Sequence, residues 1–446
     1  MKRILSLFLS ICMVLALCAC GAASEDSGTG LSLEFNMEYT DEDNAFYSDL
    51  MGVGPESPIM TVDGETFVDA ATFSYWYAYY LNNFASTLTQ YGQEEMDWDM
   101  DWEDGVTLGQ AMKEYAGTAA SYYGVITKIA EEHNISLPEE KLQECAAERE
   151  ENIKMVGESI WEQALSNGYI IESKYSDKDK AAWVWKQGSE NYETQIANVG
   201  STDTGYNNIL MKTALYDYVI EQLYSEGGPY APSQETLDQY MEDNQMVNVK
   251  FIYLASYDQD YNEVDRSEEA QAIMDEINKA SNKEAKFFEL LESKSEADFA
   301  QYPNGYLSTS TDFTNKTSAT LTEMKPGEIS DVIKDDYGWY IFMRLEPYYD
   351  DVRTSYMTNE ANILLNTHLD ELDIETTVAY DALNSAAFYE KIQKLGTAYI
   401  GLTPDDPSMV KPSDNTSSES ADNDVLMTVP GEDLPASPTN PPETDD

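Results

Sequence analysis

The chain has 446 residues, 42% of them hydrophobic and 12% aromatic, enough to bury two sizeable cores. Its 83 acidic residues stand against 26 basic ones, a formal net charge of −57. Such a surface repels nucleic-acid phosphates and anionic head groups, so neither is a suitable partner; it either serves solubility alone or favours cationic segments of unfolded chains.

Lys2 and Arg3 precede an apolar run, Ile4 to Leu17, too short to span a bilayer as a permanent helix. The run ends in Leu17-Cys18-Ala19-Cys20-Gly21, which resembles the lipobox of bacterial lipoproteins. That resemblance implies a signal peptide over 1–19, cleavage before Cys20 and lipid on its thiol. Each buried acyl methylene contributes about 0.8 kcal/mol, so two or more chains hold firmly. Residues 20–58, rich in Ser, Gly, Asp and Glu, read as a flexible tether. Of the four cysteines only Cys145 and Cys20 lie beyond the signal, so no internal disulfide is expected and Cys145 reads as a buried structural thiol.

Ile59-Met60-Thr61-Val62, the turn pair Asp63-Gly64, and Glu65-Thr66-Phe67 predict a hairpin. Asp69 then caps a helix carrying Phe73, Trp76, Tyr77, Tyr80 and Leu81 at 3–4 spacing. Asp97, Asp99 and Asp101 are spaced like the opening of a calcium loop. Its sixth and twelfth positions hold Trp102 and Leu108 instead of Gly and Glu, so no metal is expected. Thr107 with Gln110, and Ser136 with Glu139, form capping boxes for two long helices. Further helical patterns cover 181–198, 207–224 and 233–244, which makes 59–245 a mostly helical lobe.

The pattern changes over 246–347. Val247 to Leu254 alternates as a strand, two amphipathic helices follow over 268–280 and 283–293, and Tyr306-Leu307 opens a second strand. A short helix near 316–324, the turn Lys325-Pro326-Gly327-Glu328 and a final strand from Trp339 to Leu345 complete a compact α+β unit. Helices resume over 348–401. Residues 402–446, with Lys411 their only basic side chain, read as an acidic disordered tail.

Lys325-Pro326-Gly327-Glu328-Ile329-Ser330 followed by Asp336-Tyr337-Gly338-Trp339-Tyr340-Ile341 resembles the closing signature of parvulin (PpiC-type) peptidyl-prolyl isomerases. Asn304-Gly305-Tyr306-Leu307 falls at their Gly-rich strand opening. With the lipobox, the lobe before this unit and the helices after it, the order of parts is similar to the PrsA- and SurA-type foldases. The resemblance implies an α+β fold: a helical chaperone lobe with an inserted parvulin-like domain, a small antiparallel sheet with flanking helices, and 348–401 packing back on the lobe. It also implies a foldase on the outer face of the cell membrane that binds unfolded exported polypeptides at X-Pro segments, without a cofactor; a homodimer stays open.

Parvulins resembling this unit place two histidines on adjacent central strands, with a Cys or Asp nearby. Here those histidine positions fall on Phe251 and Tyr340, and the acid position on Asp298. Of the apolar pocket positions one falls on Phe313 and the next on Thr317. His133 and His368, the chain's two histidines, lie outside the unit. Isomerase activity is therefore expected to be weak at most. The alternative is a lipid-anchored solute-binding or scaffold lipoprotein without catalysis. The long helical stretches argue against the solute-binding form, and the lack of a Gly-x-Ser-x-Gly motif against a hydrolase. On this reading Cys20→Ala leaves the protein unlipidated, either released or unprocessed. Detergent-phase partitioning checks it: the native protein should enter the detergent phase, and recovery in the aqueous phase would refute the anchor.

Overall fold

The computed structural model describes residues 35–90, 92, 96–103, 105–258, 262–300, 302–309 and 311–396. The signal peptide, Cys20, the first part of the tether and the tail from 402 lie outside the described residues. The chain divides into two compact units, one running up to Val219 and again from His368, the other spanning Ile220–Thr367.

The first unit opens on α1 (Asp41–Met51). Thr40 caps it, its hydroxyl accepting from the Asp43 N–H while the Asp43 carboxylate accepts from the Thr40 N–H at 2.8 Å. The sequence reading carries a tether through residue 58. Instead this capping box, together with Tyr47, Leu50 and Met51 on one buried face, makes 41–51 a packed helix within acidic surroundings. The hairpin β1 (Pro58–Val62) and β2 (Glu65–Asp69) turns at Asp63 and Gly64, both at positive φ. Asp69 accepts from the Thr72 N–H at 2.7 Å at the start of α2 (Ala70–Gln90). A small ribbon, β3 (Asp101–Glu103) with β4 (Val106–Thr107), leads into α3 (Leu108–His133), where the Thr107/Gln110 box forms as expected. The next helix, α4 (Glu139–Ser166), starts behind Pro138 and has no side-chain cap, so the Ser136 box does not form. Then come α5 (Asp177–Asn198) and α6 (Asp203–Tyr224), the latter leading out of this unit.

The second unit contains α7 (Gln234–Asp243), β5 (Val247–Ala255), α8 (Ser267–Lys279), α9 (Lys283–Lys294), β6 (Tyr306–Ser308), α10 (Asn315–Glu323), β7 (Ile333–Asp335), β8 (Gly338–Arg344) and the first part of α11 (Tyr349–Glu371). Its four strands form one antiparallel sheet in the order β6-β5-β8-β7. Leu237, Met241 and Met246 pack with Val352, tying α7 to α11. Back in the first unit, β9 (Ile374–Thr376) pairs with β1, and α12 (Val378–Ala382) and α13 (Ser385–Gly396) follow. Phe388 and Ile392 of α13 enter the main core with Phe73, Tyr77 and Leu81. The α+β class expected from the sequence is the class the structure shows.

Helices α4 and α5 cross at two glycines. A Cβ on Gly157 would lie 1.9 Å from the Val184 carbonyl oxygen, and one on Gly188 would lie 2.1 Å from that of Ile153. Beside this crossing Arg149, 2% exposed, holds Asp203 through two bonds of 2.8 and 2.5 Å and pins α6 to α4. Cys145 is buried as expected; burial pushes its thiol up to about 11, and it donates to the Leu210 carbonyl. Gly157→Ala forces the backbones apart and should destabilise the helical unit by about 1–3 kcal/mol. Urea unfolding followed by tryptophan fluorescence measures it, and an unchanged midpoint would contradict so tight a crossing.

Candidate active site on the aromatic sheet face

Side chains alternate across a strand, so the β5–β8 ladder has two chemically different faces. On one, Ile252, Leu254, Trp339, Ile341 and Met343 bury against Ile273 and Ile277 of α8 and Phe287 and Leu291 of α9. On the other, Val249, Phe251 and Tyr253 lie beside Tyr340 and Phe342, with Tyr306, Phe313 and Leu321 completing the cluster.

That second face is nearly all aromatic. Phe251 meets Phe299 at 4.9 Å between ring centres, Phe342 at 5.4 Å, Tyr340 at 5.6 Å and Phe313 at 5.9 Å. Phe313 lies 5.2 Å from Phe342 and 5.6 Å from Tyr340, edge to face with each. Tyr340 and Phe342 stack at 5.3 Å with 9° between their planes. Each such pair adds about 0.5–1.5 kcal/mol beyond the area it buries. Phe251, Tyr253, Tyr306 and Phe313 keep part of their surface open, over the buried Tyr340 and Phe342.

The structure therefore brings Phe251, Tyr340 and Phe313 together. Phe251 pairs in register with Phe342, and Tyr340 with Tyr253, which sets Phe251 and Tyr340 on a diagonal. Asp298 is exposed, and its carboxylate accepts from the Ala300 N–H at 2.8 Å; it reaches the cluster only through its neighbour Phe299. Thr317 is buried, and its hydroxyl donates to the Asp335 carboxylate. The sequence analysis missed Tyr253, Phe342 and Asp335. Two-residue spacing from Phe251 and Tyr340 would have found the first two. Nothing local marks Asp335.

Burial raises Tyr340 well above the ordinary tyrosine value, and Tyr253 and Asp335 add to the shift. Burial likewise raises Tyr306, with Asp312 adding to it, and Tyr253, with Glu296. These phenols stay protonated at any working pH. The Tyr253 hydroxyl donates to the Tyr337 carbonyl at 3.0 Å, whereas that of Tyr340 has no hydrogen-bond partner among the described residues. It is an available donor at the edge of an apolar floor.

Residues 253–346 match the model of the rotamase family, described as the PPIC-type PPIase domain. In class, this stretch of the second unit is similar to PPIC-type peptidyl-prolyl isomerase domains. Among solved structures, the chain is similar to PrsA from Bacillus subtilis at 15% identity and a TM-score of 0.24, covering 70% of this chain and 96% of that one. Foldase protein PrsA from Streptococcus pneumoniae str. Canada MDR_19A is similar at 16% identity and a TM-score of 0.26, covering 58% and 92%. For the peptidylprolyl isomerase PrsA from Bacillus cereus the figures are 13%, 0.22, 67% and 98%. The comparison with curated proteins gives no match.

Asp335 is 5% exposed, and burial pushes its carboxyl up. Hydrogen bonds from Thr317, from the Asp336 N–H at 2.7 Å and from Thr314 at 2.8 Å outweigh that and hold it below the usual aspartate value of 3.8. A depressed folded value means the contribution to stability is fully present above 3.8 and lost as pH falls through the folded value. An NMR titration of the Asp335 carboxyl carbon should give a midpoint below 3.8, and a midpoint at or above it would contradict this network.

Proposed function

We propose that the protein is an extracytoplasmic foldase of the PrsA type, held to the membrane by lipid on Cys20, that binds unfolded exported polypeptides. The observation that carries this reading is the partly open aromatic face in a PPIC-type domain, a floor suited to a proline ring and built without histidine. Among the described residues no helix is long and apolar enough to cross a membrane, so on this reading the anchor is the lipid.

The X-Pro bond rotates over a barrier near 20 kcal/mol, and lowering it requires neither a nucleophile nor a metal. It requires an apolar seat for the ring and a donor for the twisted amide, which has lost its resonance. Phe251 and Phe313 supply the seat, packed on the buried Phe342. Tyr340 is the protonated donor in reach of it, while Asp298 stands outside as a residue of the rim. One phenol in place of two imidazoles supports slow isomerisation at most, since losing a positioned polar group typically lowers the rate about 10²-fold or more.

Client binding is assigned chiefly to the helical unit. Trp76 lies 5.4 Å from both Tyr75 and Tyr79 and 6.2 Å from Tyr123, all four partly exposed on α2 and α3. Sequence-tolerant aromatic surface of this kind suits unfolded segments, and the acidic surroundings favour cationic ones.

The soluble part of the chain should slow the aggregation of an unfolded model protein. In an NMR exchange assay on an X-Pro peptide it should turn over no faster than about one hundredth of a histidine-bearing parvulin. Equal aggregation with and without the protein would refute the chaperone role. Exchange as fast as that of the histidine-bearing enzyme would refute the assignment of Phe251 and Tyr340.

A further inference from the structure

We infer that the Asp335 carboxylate is the positioning group of the proline seat, fastening the first turn of α10 to the β7–β8 hairpin and so holding Phe313 against Tyr340 and Phe342. This rests on the proposed reading of the aromatic face as the place where an X-Pro segment binds.

Phe313 lies at the end of a loop, one residue before Thr314, the N-cap of α10. An N-cap threonine ordinarily turns its hydroxyl onto its own helix. Thr314 makes no such cap bond. Its hydroxyl donates to Asp335 at 2.8 Å and its N–H donates to the same oxygen at 3.3 Å. Thr317, one turn on, donates its hydroxyl to that oxygen too. The other carboxylate oxygen of Asp335 accepts from the Asp336 N–H. Asp335 thus reaches the start of this helix from a different element, 21 positions away, accepting the Thr314 N–H and two first-turn hydroxyls, and its negative charge sits at the positive end of the helix.

The same carboxylate belongs to the strand that feeds the Tyr340 side of the floor, since Asp335 pairs with Gly338 and Ile333 with Tyr340. Two parts of the seat, Phe313 above and Tyr340 with Phe342 below, therefore meet through one buried charged group. Thr317 accordingly has a different role from the apolar pocket lining that the family resemblance implied. It is 1% exposed and serves as a second strut of this clamp.

The test uses the full chain with three substitutions. Asp335→Asn keeps the side chain's size but turns an amide NH2 toward hydroxyl and N–H donors. Thr314→Val removes the hydroxyl and keeps the shape, and Thr314→Ser keeps the hydroxyl. The first readout is the ring-current-shifted methyl signal of Leu321, which packs in the same cluster, in the free protein. The second is the Kd for an X-Pro peptide, set against the melting temperature. Asp335→Asn and Thr314→Val should move the Leu321 signal and weaken peptide binding about tenfold while the chain still melts cooperatively, with Thr314→Ser close to wild type. A Leu321 signal and Kd unchanged in Asp335→Asn would overturn the inference, as would a Thr314→Ser variant as impaired as Thr314→Val. If Asp335→Asn does not fold, the two Thr314 variants decide. If the wild type binds no X-Pro peptide, the functional reading fails, and the ligand-free Leu321 signal still decides whether Asp335 sets the position of Phe313.

Discussion

The antiparallel ladder between β5 and β8 is the constraint on which the second unit depends. Its register runs unbroken from Val249–Arg344 to Ala255–Gly338. Because the side-chain period is two, this register places every aliphatic partner of α8 and α9 on one face and every ring of the floor on the other. A slip of one residue would exchange them, moving Phe251 and Tyr340 under the helices and leaving Ile252 and Ile341 exposed. Gly338 protects the register at the tight end, where a Cβ would stand 2.2 Å from the Leu254 carbonyl oxygen. The site is a consequence of strand pairing before it is a matter of individual side chains.

Rings at Phe251 and Tyr340 set the energetics of this floor. A buried imidazole pair needs hydrogen-bond partners for its nitrogens, whereas phenyl rings need only contact. Phe251 alone touches Phe299, Phe313, Tyr340 and Phe342 at 4.9 to 5.9 Å. The result is a cohesive surface of stacked and edge-to-face rings. Polar chemistry withdraws to the edge, into the Asp335–Thr314–Thr317 network, where it orders the structure.

The helical unit meets the problem of a very acidic sequence differently. Its carboxylates mostly face solvent, where screening keeps their mutual repulsion modest. The contacts that join its helices are close backbone approach at Gly157 and Gly188, aromatic packing around Trp161 and Trp183 at 5.3 Å, and the Arg149–Asp203 pair. Removing Asp203 would leave Arg149, 2% exposed, as an uncompensated buried charge, whereas the fully exposed salt bridges contribute little.

Much of this was legible in the residues. The Asp63-Gly64 hairpin, the Thr107/Gln110 capping box, the burial of Cys145 and the α+β character of the second unit follow from short-range pattern, because turns, caps and amphipathic periods act over a few residues. The turn and strand motifs also placed Phe251, Phe313 and Tyr340 in one neighbourhood. Other features depended on partners distant in sequence. Helix α1 was hidden in acidic composition because its apolar face counts only once α2 and α13 are there to cover it. β9 has three residues and no pattern of its own; it is a strand because β1 offers an open edge. Asp335 in sequence is one more acid among 83, and only the approach of α10 to the β7–β8 hairpin makes it the buried acceptor of two threonines. The sequence by itself determined the first hairpin, the capped helix behind Thr107 and the strands and helices of the second unit, since those depend on residue identity and local period. Tertiary structure alone decided that the rings around Phe251 form one continuous floor and that Asp335 is the carboxylate buried beside it, because both depend on distances between residues far apart along the chain.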